Sequence, residues 1–322
     1  MKFIVAQVKP KLCYTKKEFI NIIDEKIKKI VEEYPNIDLI LFPEAIGLWL
    51  CVMEPLNKIS SFFHHFLPSE SIFITSKSFN SELIAVELQF LNLDIEKLSS
   101  KSWLIRLSNW FFRQFNLSFI SHYLRSLDIS KAYREAFSQA SKKHNVYIQA
   151  GSIYEKTITG TKNVAYTFSP SGDIVCRQEK WHPLDFEGMM GIKRGYTYQT
   201  FDVDGIKCGI AICADLNYPN SLVQKLSEIG CKFISGPSGG IVPSYSWEFD
   251  YVRDVLDSQQ ARANESNVII GRSYNVGGLL NDLIKFKGRS SIVEPHRLVS
   301  IVPEDKILSE YNLYGELTYS PR

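Results

Sequence analysis

The sequence contains no CxxC pair, no long uncharged apolar run and no block of like charge, and each absence removes a class of function. Its six cysteines, Cys13, Cys51, Cys176, Cys208, Cys213 and Cys231, are scattered. Scattered thiols supply neither the paired ligands of a zinc site nor a disulfide framework, so no metal is implied and a reducing compartment, the cytoplasm, is expected. No stretch approaches the roughly 18 uncharged apolar residues that a spanning helix needs. The opening MKFIVAQVKP has too short an apolar run for a secretion signal and reads as a first strand. A net charge of +2 without a lysine or arginine cluster argues against nucleic acid as the general partner. What remains is a globular composition, 45% hydrophobic and 22% charged over 322 residues, with ample material for a core.

Hydrophobic periodicity then sets out an alternating pattern. Phe3 to Val8 and Asp38 to Phe42 are short apolar strands. Between them Ile20, Ile23, Ile27, Ile30 and Val31 recur at helical spacing, predicting a helix from Lys17 to Tyr34. The rhythm lapses from Cys51 to Ser130 and resumes with a helix from Lys131 to His144 and a strand from Val146 to Ala150, broken at Gly151. Val164 to Phe168 and Asp173 to Arg177 flank the turn Pro170-Ser171-Gly172. Gln199 to Val203 and Ile206 to Ile212 flank Asp204-Gly205, a strong hairpin signal. A helix from Asn220 to about Ile229, a strand from Lys232 to Ser235 with a Gly-rich loop through Gly240, a helix from Tyr251 to Glu265, a strand from Asn267 to Gly271 and a last hairpin around Pro295-His296-Arg297 complete the α/β pattern. From Pro303 the chain reads as a polar tail.

Three reactive side chains stand just past the ends of three strands. Glu44 follows Asp38–Phe42, Lys180 follows the second strand of the Pro170 hairpin, and Cys213 ends the run that starts at Ile206. Strand ends are where functional groups collect in α/β sheets. Strand, sharp turn and helix around Cys213 is how a fold presents a nucleophile with backbone N–H groups facing the developing charge. Each residue taken singly has a plainer reading: a packed thiol, a capping glutamate, a surface lysine.

Order and local sequence together resemble the nitrilase superfamily of carbon–nitrogen hydrolases. LILFPE surrounds Glu44, RQEKWH surrounds Lys180 and GIAICADLNYP surrounds Cys213, with QQARANESNVIIGRS and GRSSIVEP as downstream support. The resemblance covers residues 1–50 and 131–302. It implies a four-layer α-β-β-α sandwich, a single domain over 1–302 with a helical insertion at 51–130 and a tail at 303–322. It also implies hydrolysis of a non-peptide amide through a cysteine thioester, without a cofactor. Cys213 is then the nucleophile, Glu44 the base, and Lys180 with the Ala214 N–H the oxyanion donors. The lysine cation and the base are expected to supply thiolate near neutral pH, since a free thiol has a pKa of about 8.5. Glu187, shortly before Gly195, is a candidate second acid or positioning residue. Trp181, His182, Asn217, Tyr218 and Ser238 are candidate pocket residues for an amide or nitrile substrate. Acyl transfer to an amine uses the same residues and stays open, as does a catalytically silent membrane-associated or scaffolding protein. A homodimer or larger homo-oligomer is expected.

The sequence departs from the family in two places. Asn217 and Tyr218 stand where arginine and phenylalanine commonly precede the proline, which removes an expected partner of Asp215. The 51–130 segment is also unusually long. Within it Ser99 to Leu127 carries Lys101, Arg106, Arg113 and Arg125, no acid, and a broad face of Trp103, Trp110, Phe111, Phe112 and Phe115. Such a helix suits a peripheral membrane contact, an apolar or acyl-bearing substrate, a subunit contact, or packing on its own core.

Overall fold

The computed structural model describes residues 1–13, 15–50, 127–189, 191–219, 222–240, 251–279 and 284–318. The expected insertion, including the aromatic segment at 99–127, lies almost wholly outside the described residues. Two six-stranded mixed sheets carry the fold. The first has the order β14-β1-β2-β3-β4-β5, with β1 at Lys2–Gln7, β2 at Leu39–Leu41, β3 at Tyr147–Thr157, β4 at Gly160–Phe168, β5 at Ile174–Glu179 and β14 at Tyr311–Glu316. The second has the order β13-β12-β9-β8-β7-β6, with β6 at Thr200–Val203, β7 at Ile206–Ile210, β8 at Phe233–Ser238, β9 at Ile269–Tyr274, β12 at Ser291–Glu294 and β13 at Arg297–Ile301. A short pair, β10 (Gly277–Leu279) and β11 (Ile284–Phe286), stands apart from both.

Side-chain alternation sorts each strand between two cores. In the first sheet Phe3, Val5, Leu39 and Leu41 point inward and meet Phe201, Ile206, Ile210 and Phe233 of the second. The opposite face, with Ile4, Ala6, Ile40 and Ile148, packs on α1 (Lys16–Glu33) and α2 (Leu127–His144) through Phe19, Ile23, Ile27, Tyr133 and Phe137. The outer face of the second sheet packs on α4 (Leu222–Glu228) and α5 (Tyr251–Ser266) through Leu222, Leu226 and Ala263 against Ile234 and Ile270. The central strands β1, β2, β8 and β9 are buried on both faces, which is why they read as apolar runs. Layer by layer this is the α-β-β-α sandwich that the motifs implied. No helix among the described residues is long and apolar enough to cross a membrane.

Several elements differ from the sequence expectation. β3 does not stop at Gly151 but bulges there, its register against β4 shifting between Gln149 and Ser152. Gly151 has φ of 72°, and a Cβ on it would overlap the Pro43 carbonyl oxygen, so only glycine lets β3 approach the Glu44 turn this closely. Gly236, Pro237 and Ser238, expected as loop, continue β8 and pair with Arg272–Tyr274. Proline is tolerated because pairing with β7 ends at Ser235, which leaves its missing N–H on a vacant side. β7 stops at Ile210 rather than Ile212. The polar tail after Pro303 contains β14, which adds antiparallel to β1 over Lys2–Gln7. Its sequence, YNLYGE, hides the strand because only Leu313 and Gly315 are buried.

Candidate active site

The turns after β2, β5 and β7 bring Glu44, Lys180 and Cys213 to one buried cluster. Lys180 has 1% of its surface exposed. Its Nζ donates to Glu44 Oε1 and to Glu187 Oε2, both at 2.7 Å. Glu187 sits on α3 (Asp185–Met189), a short helix not apparent in the sequence, and is wholly buried. Burial alone would drive the lysine neutral. The two carboxylates, with the Cys213 sulfur nearby, reverse that and hold its pKa well above the ordinary lysine range. Burial likewise works against the Glu187 charge, but Lys180, the Leu184 amide and Asn163 hold its carboxyl below the ordinary range.

Each carboxylate is fixed by further donors. Asn163, on β4, donates through Nδ2 to Glu44 Oε1 at 2.8 Å and to Glu187 Oε1 at 3.0 Å, bridging the two acids. The Gly239 amide donates to Glu44 Oε2 at 2.8 Å. Tyr154 Oη and the Leu184 amide donate to Glu187 Oε1 and Oε2 at 3.1 and 2.8 Å. Behind Glu44, Asn275 Nδ2 donates to its carbonyl at 2.6 Å and Ser152 Oγ accepts from the Ala45 amide at 2.9 Å. The acid is held through its backbone as well as its head.

Cys213 adopts φ of 50°, left-handed geometry that a non-glycine residue rarely takes, and begins a 3-10 turn over Cys213–Leu216. A side chain in this conformation at a strand end signals a turn whose strain is retained for use. Its thiol is pushed up to about 11, by burial first and by Glu44 and Glu187, against the opposing pull of Lys180 and Arg272. This corrects the expectation of a thiolate near neutral pH. Burial and the carboxylates outweigh the lysine, so the resting group is the thiol and its proton must leave during the attack.

The other predicted residues fall in distinct places. Asp215, whose expected arginine partner is absent, accepts instead from the backbone of Ile212, Trp181 and His182, and meets His182 Nδ1 at 2.9 Å. That carboxylate ties the Lys180 turn to the Cys213 turn. The His182 ring lies 4.9 Å from that of Tyr218, which is 46% exposed. Trp181 faces away from the cluster: its Nε1 donates to the Thr197 carbonyl at 2.8 Å and its ring meets Tyr198 edge-on. Ser238 and Asn217 are engaged by Arg272, with Ser238 Oγ 2.8 Å from the arginine Nε. Through that guanidinium they are joined to the Cys213 carbonyl.

Asn163, Tyr154 and Arg272 escaped the sequence reading. For Arg272 a signal existed, an arginine inside the apolar strand NVIIGRSY. A charge in a doubly buried strand requires a reason. Among the described residues no group of histidine, cysteine and acidic side chains is arranged to hold a metal ion.

Similarity to known proteins bears on the family and the fold. The carbon–nitrogen hydrolase profile matches residues 5–304. Mouse omega-amidase NIT2 (Mus musculus) is 22% identical over 169 residues, 50% of this chain and 58% of that protein. The chain thus spans little more than half the length of that curated relative. Among solved structures, the carbon-nitrogen hydrolase from Helicobacter pylori G27 superposes with a TM-score of 0.63 at 17% identity, over 98% of this chain and 87% of that one. An amidase from Nesterenkonia sp. AN1, with acrylamide added at its active-site cysteine, gives 0.60 at 12% identity over 99% and 93%. At such identities the solved structures carry the fold alone. The profile match runs through nearly the whole sequence, and by it the chain belongs to the carbon–nitrogen hydrolase family.

Proposed function

We propose that the protein hydrolyses a small non-peptide amide through a thioester on Cys213. The observation that carries this reading is the buried Lys180 clamped between Glu44 and Glu187 beside a cysteine held at positive φ. Lysine has three N–H bonds. Two go to the glutamates, which leaves one directed to a substrate oxygen. Oxygen Oε1 of Glu44 accepts twice, whereas Oε2 accepts only from Gly239 among the described residues, so Oε2 retains a site for a proton.

The steps follow from those assignments. Sγ attacks the amide carbon as its proton passes to Glu44. The carbonyl oxygen becomes an oxyanion, stabilised by Lys180 and the Ala214 N–H. Glu44 returns the proton to the nitrogen, the C–N bond breaks and the amine or ammonia leaves. Water, deprotonated by Glu44, then attacks the thioester. The C–S bond breaks, the sulfur regains a proton, and a carboxylic acid departs. Glu187 does not touch the substrate; it fixes Lys180. The aromatic sequence at 99–127 favours an apolar or acyl group on the substrate, and the similarity to an omega-amidase favours a short amide at a chain end.

The test is ammonia release from a panel of short aliphatic amides and terminal amides of dicarboxylic acids, with the mass of Cys213 followed in quenched reactions. An acyl adduct on Cys213 and ammonia that vanishes in Cys213→Ala are expected. Ammonia release undiminished in folded Cys213→Ala refutes the reading. Product analysis with and without a simple amine acceptor separates hydrolysis from acyl transfer, since a hydrolase releases the carboxylic acid in both and a transferase forms the new amide when the acceptor is present.

A further inference from the structure

Arg272 is a buried cation, and among the described residues no carboxylate pairs with it. It lies on β9 and has no solvent exposure. Its Nε donates to Ser238 Oγ at 2.8 Å, Nη2 donates to the Cys213 carbonyl at 3.3 Å, and both Nη atoms reach Asn217 Oδ1 at 3.4 Å. Nη1 also faces the Val255 carbonyl at 3.4 Å, and the guanidinium lies over the Tyr274 ring at 5.3 Å. Every acceptor is neutral. Desolvating a cation costs several kcal/mol, and long bonds to neutral oxygens offset only part of that. Lys180, equally buried, is instead paired with two carboxylates. A charge left without a counterion beside the candidate nucleophile matches a negative charge that exists only during reaction.

We propose that Arg272 is a positioning residue for Cys213. Its fork grips the Cys213 carbonyl together with Asn217 and Ser238, which holds the left-handed turn, and its charge stands behind the sulfur as that atom loses its proton. This rests on Cys213 being the nucleophile. The charged and titratable groups around the sulfur are Glu44 after β2, Lys180 after β5, Glu187 on α3, Tyr154 on β3, Arg272 on β9 and, on the cysteine's own turn, Asp215 with His182 hydrogen-bonded to it. Tyr154 remains a neutral phenol, its pKa raised by burial and by Glu187 and Glu44. Glu44 and Glu187 oppose loss of the thiol proton and Lys180 and Arg272 favour it, so removing Arg272 takes away one of the two cations that favour it and the site resists that loss more strongly. Asn217 gains a function here: its Oδ1 seats both ends of the fork.

Two substitutions separate charge from geometry. Arg272→Gln keeps N–H donors and removes the charge; Arg272→Lys keeps the charge and loses the fork. Each is read by kcat and KM for the fastest amide of the panel above. Each is also read by the pH profile of Cys213 alkylation with iodoacetamide, followed by peptide mass, and melting curves identify folded protein. Arg272→Gln is expected to alkylate roughly tenfold more slowly at a given pH, a profile displaced by about one unit, with kcat lowered at least as far. Arg272→Lys should restore the alkylation profile while kcat stays depressed. A wild-type profile in folded Arg272→Gln overturns the proposal, even if kcat falls, because a merely structural residue does that. Should Arg272→Gln not fold, Arg272→Lys decides: wild-type kcat overturns the proposal, and depressed kcat on a wild-type profile supports it. Failure of the underlying reading looks different, since Cys213→Ala would then still turn over.

Discussion

Both glutamates of the cluster accept from Lys180, but the structure assigns them different sensitivities to the same substitution. Both Glu187 oxygens accept twice: Oε1 from Tyr154 and Asn163, Oε2 from Lys180 and the Leu184 amide. In Glu187→Gln the new NH2 must face one of these donor pairs. Turned toward Oε2 it confronts a cation and an amide. Turned toward Oε1 it confronts Asn163, which cannot flip to accept it without aiming its own oxygen at Glu44. Breaking one side of a wholly buried ion pair costs about 3–5 kcal/mol, and the surviving hydrogen bonds put Glu187→Gln near the lower end. At about 2 °C per kcal/mol for a chain of this size, the melting temperature falls by about 6 °C. Glu44→Gln is milder for stability. Its oxygen can stay at the Oε1 position, keeping Lys180 and Asn163, and only the Gly239 amide meets a donor, a cost of about 1–3 kcal/mol. For activity the order reverses. On the proposed mechanism, loss of the proton carrier Glu44 costs about 100- to 10,000-fold, whereas no proton passes through Glu187 and its loss only loosens Lys180.

The assay is therefore paired, thermal unfolding and initial rate on the same two variants. Acid sharpens it. The Glu187 carboxyl titrates below its ordinary range when folded, so its contribution is present above the unfolded value of about 4.3 and is lost as pH falls through the lower, folded value. The gap in melting temperature between wild type and Glu187→Gln should narrow on acidification. A Glu187→Gln protein that melts with the wild type at neutral pH, or a Glu44→Gln protein that keeps its rate, refutes the argument.

Further outcomes follow from single features. Cys213→Ala should abolish turnover with the fold intact, while Cys208→Ala, packed between the sheets, should keep it; ammonia release on both decides. Gly151→Ala forces a Cβ into the Pro43 carbonyl at a positive φ, so it should lower the melting temperature and slow turnover together by displacing Glu44. Burial raises the thiols of Cys213 to about 11 and of Cys176 and Cys231 to about 12. The stability held in these neutral thiols is complete below the ordinary thiol range and should be lost as pH rises through those values, seen as a falling melting temperature in alkaline buffer. Asp215→Asn should weaken the tie between the Lys180 and Cys213 turns and lower kcat more than it raises KM, measured on the same amide.

The sequence announces some parts of this site and hides others for a physical reason. Glu44, Lys180 and Cys213 each end an apolar run, and an abrupt change from buried strand to reactive side chain is visible in one dimension. The hairpin at Asp204-Gly205 is visible for the same reason, because its chemistry is local, and both residues do take positive φ. β14 and the continuation of β8 are not local: one depends on β1, some 310 positions away in register, the other on β7 ending two residues early. Asn163 looks like an ordinary polar residue at the start of a strand until β4 sets it between two acids brought from opposite sides.

The fate of Asp215 shows how such contacts reshape a motif. A missing arginine beside the cysteine suggested a stranded carboxylate, yet the carboxylate is saturated by three backbone amides and His182. An arginine does reach this turn, but from β9, and it binds the neutral Asn217 and the Cys213 carbonyl rather than Asp215. With Asp215 met by amides, no carboxylate among the described residues neutralises the guanidinium, and on the proposal above its charge stays available to the sulfur. A single substitution read along the chain looks like the loss of an ion pair. Read through the fold, it is the condition under which a cation unpaired with any described carboxylate can sit beside the proposed nucleophile.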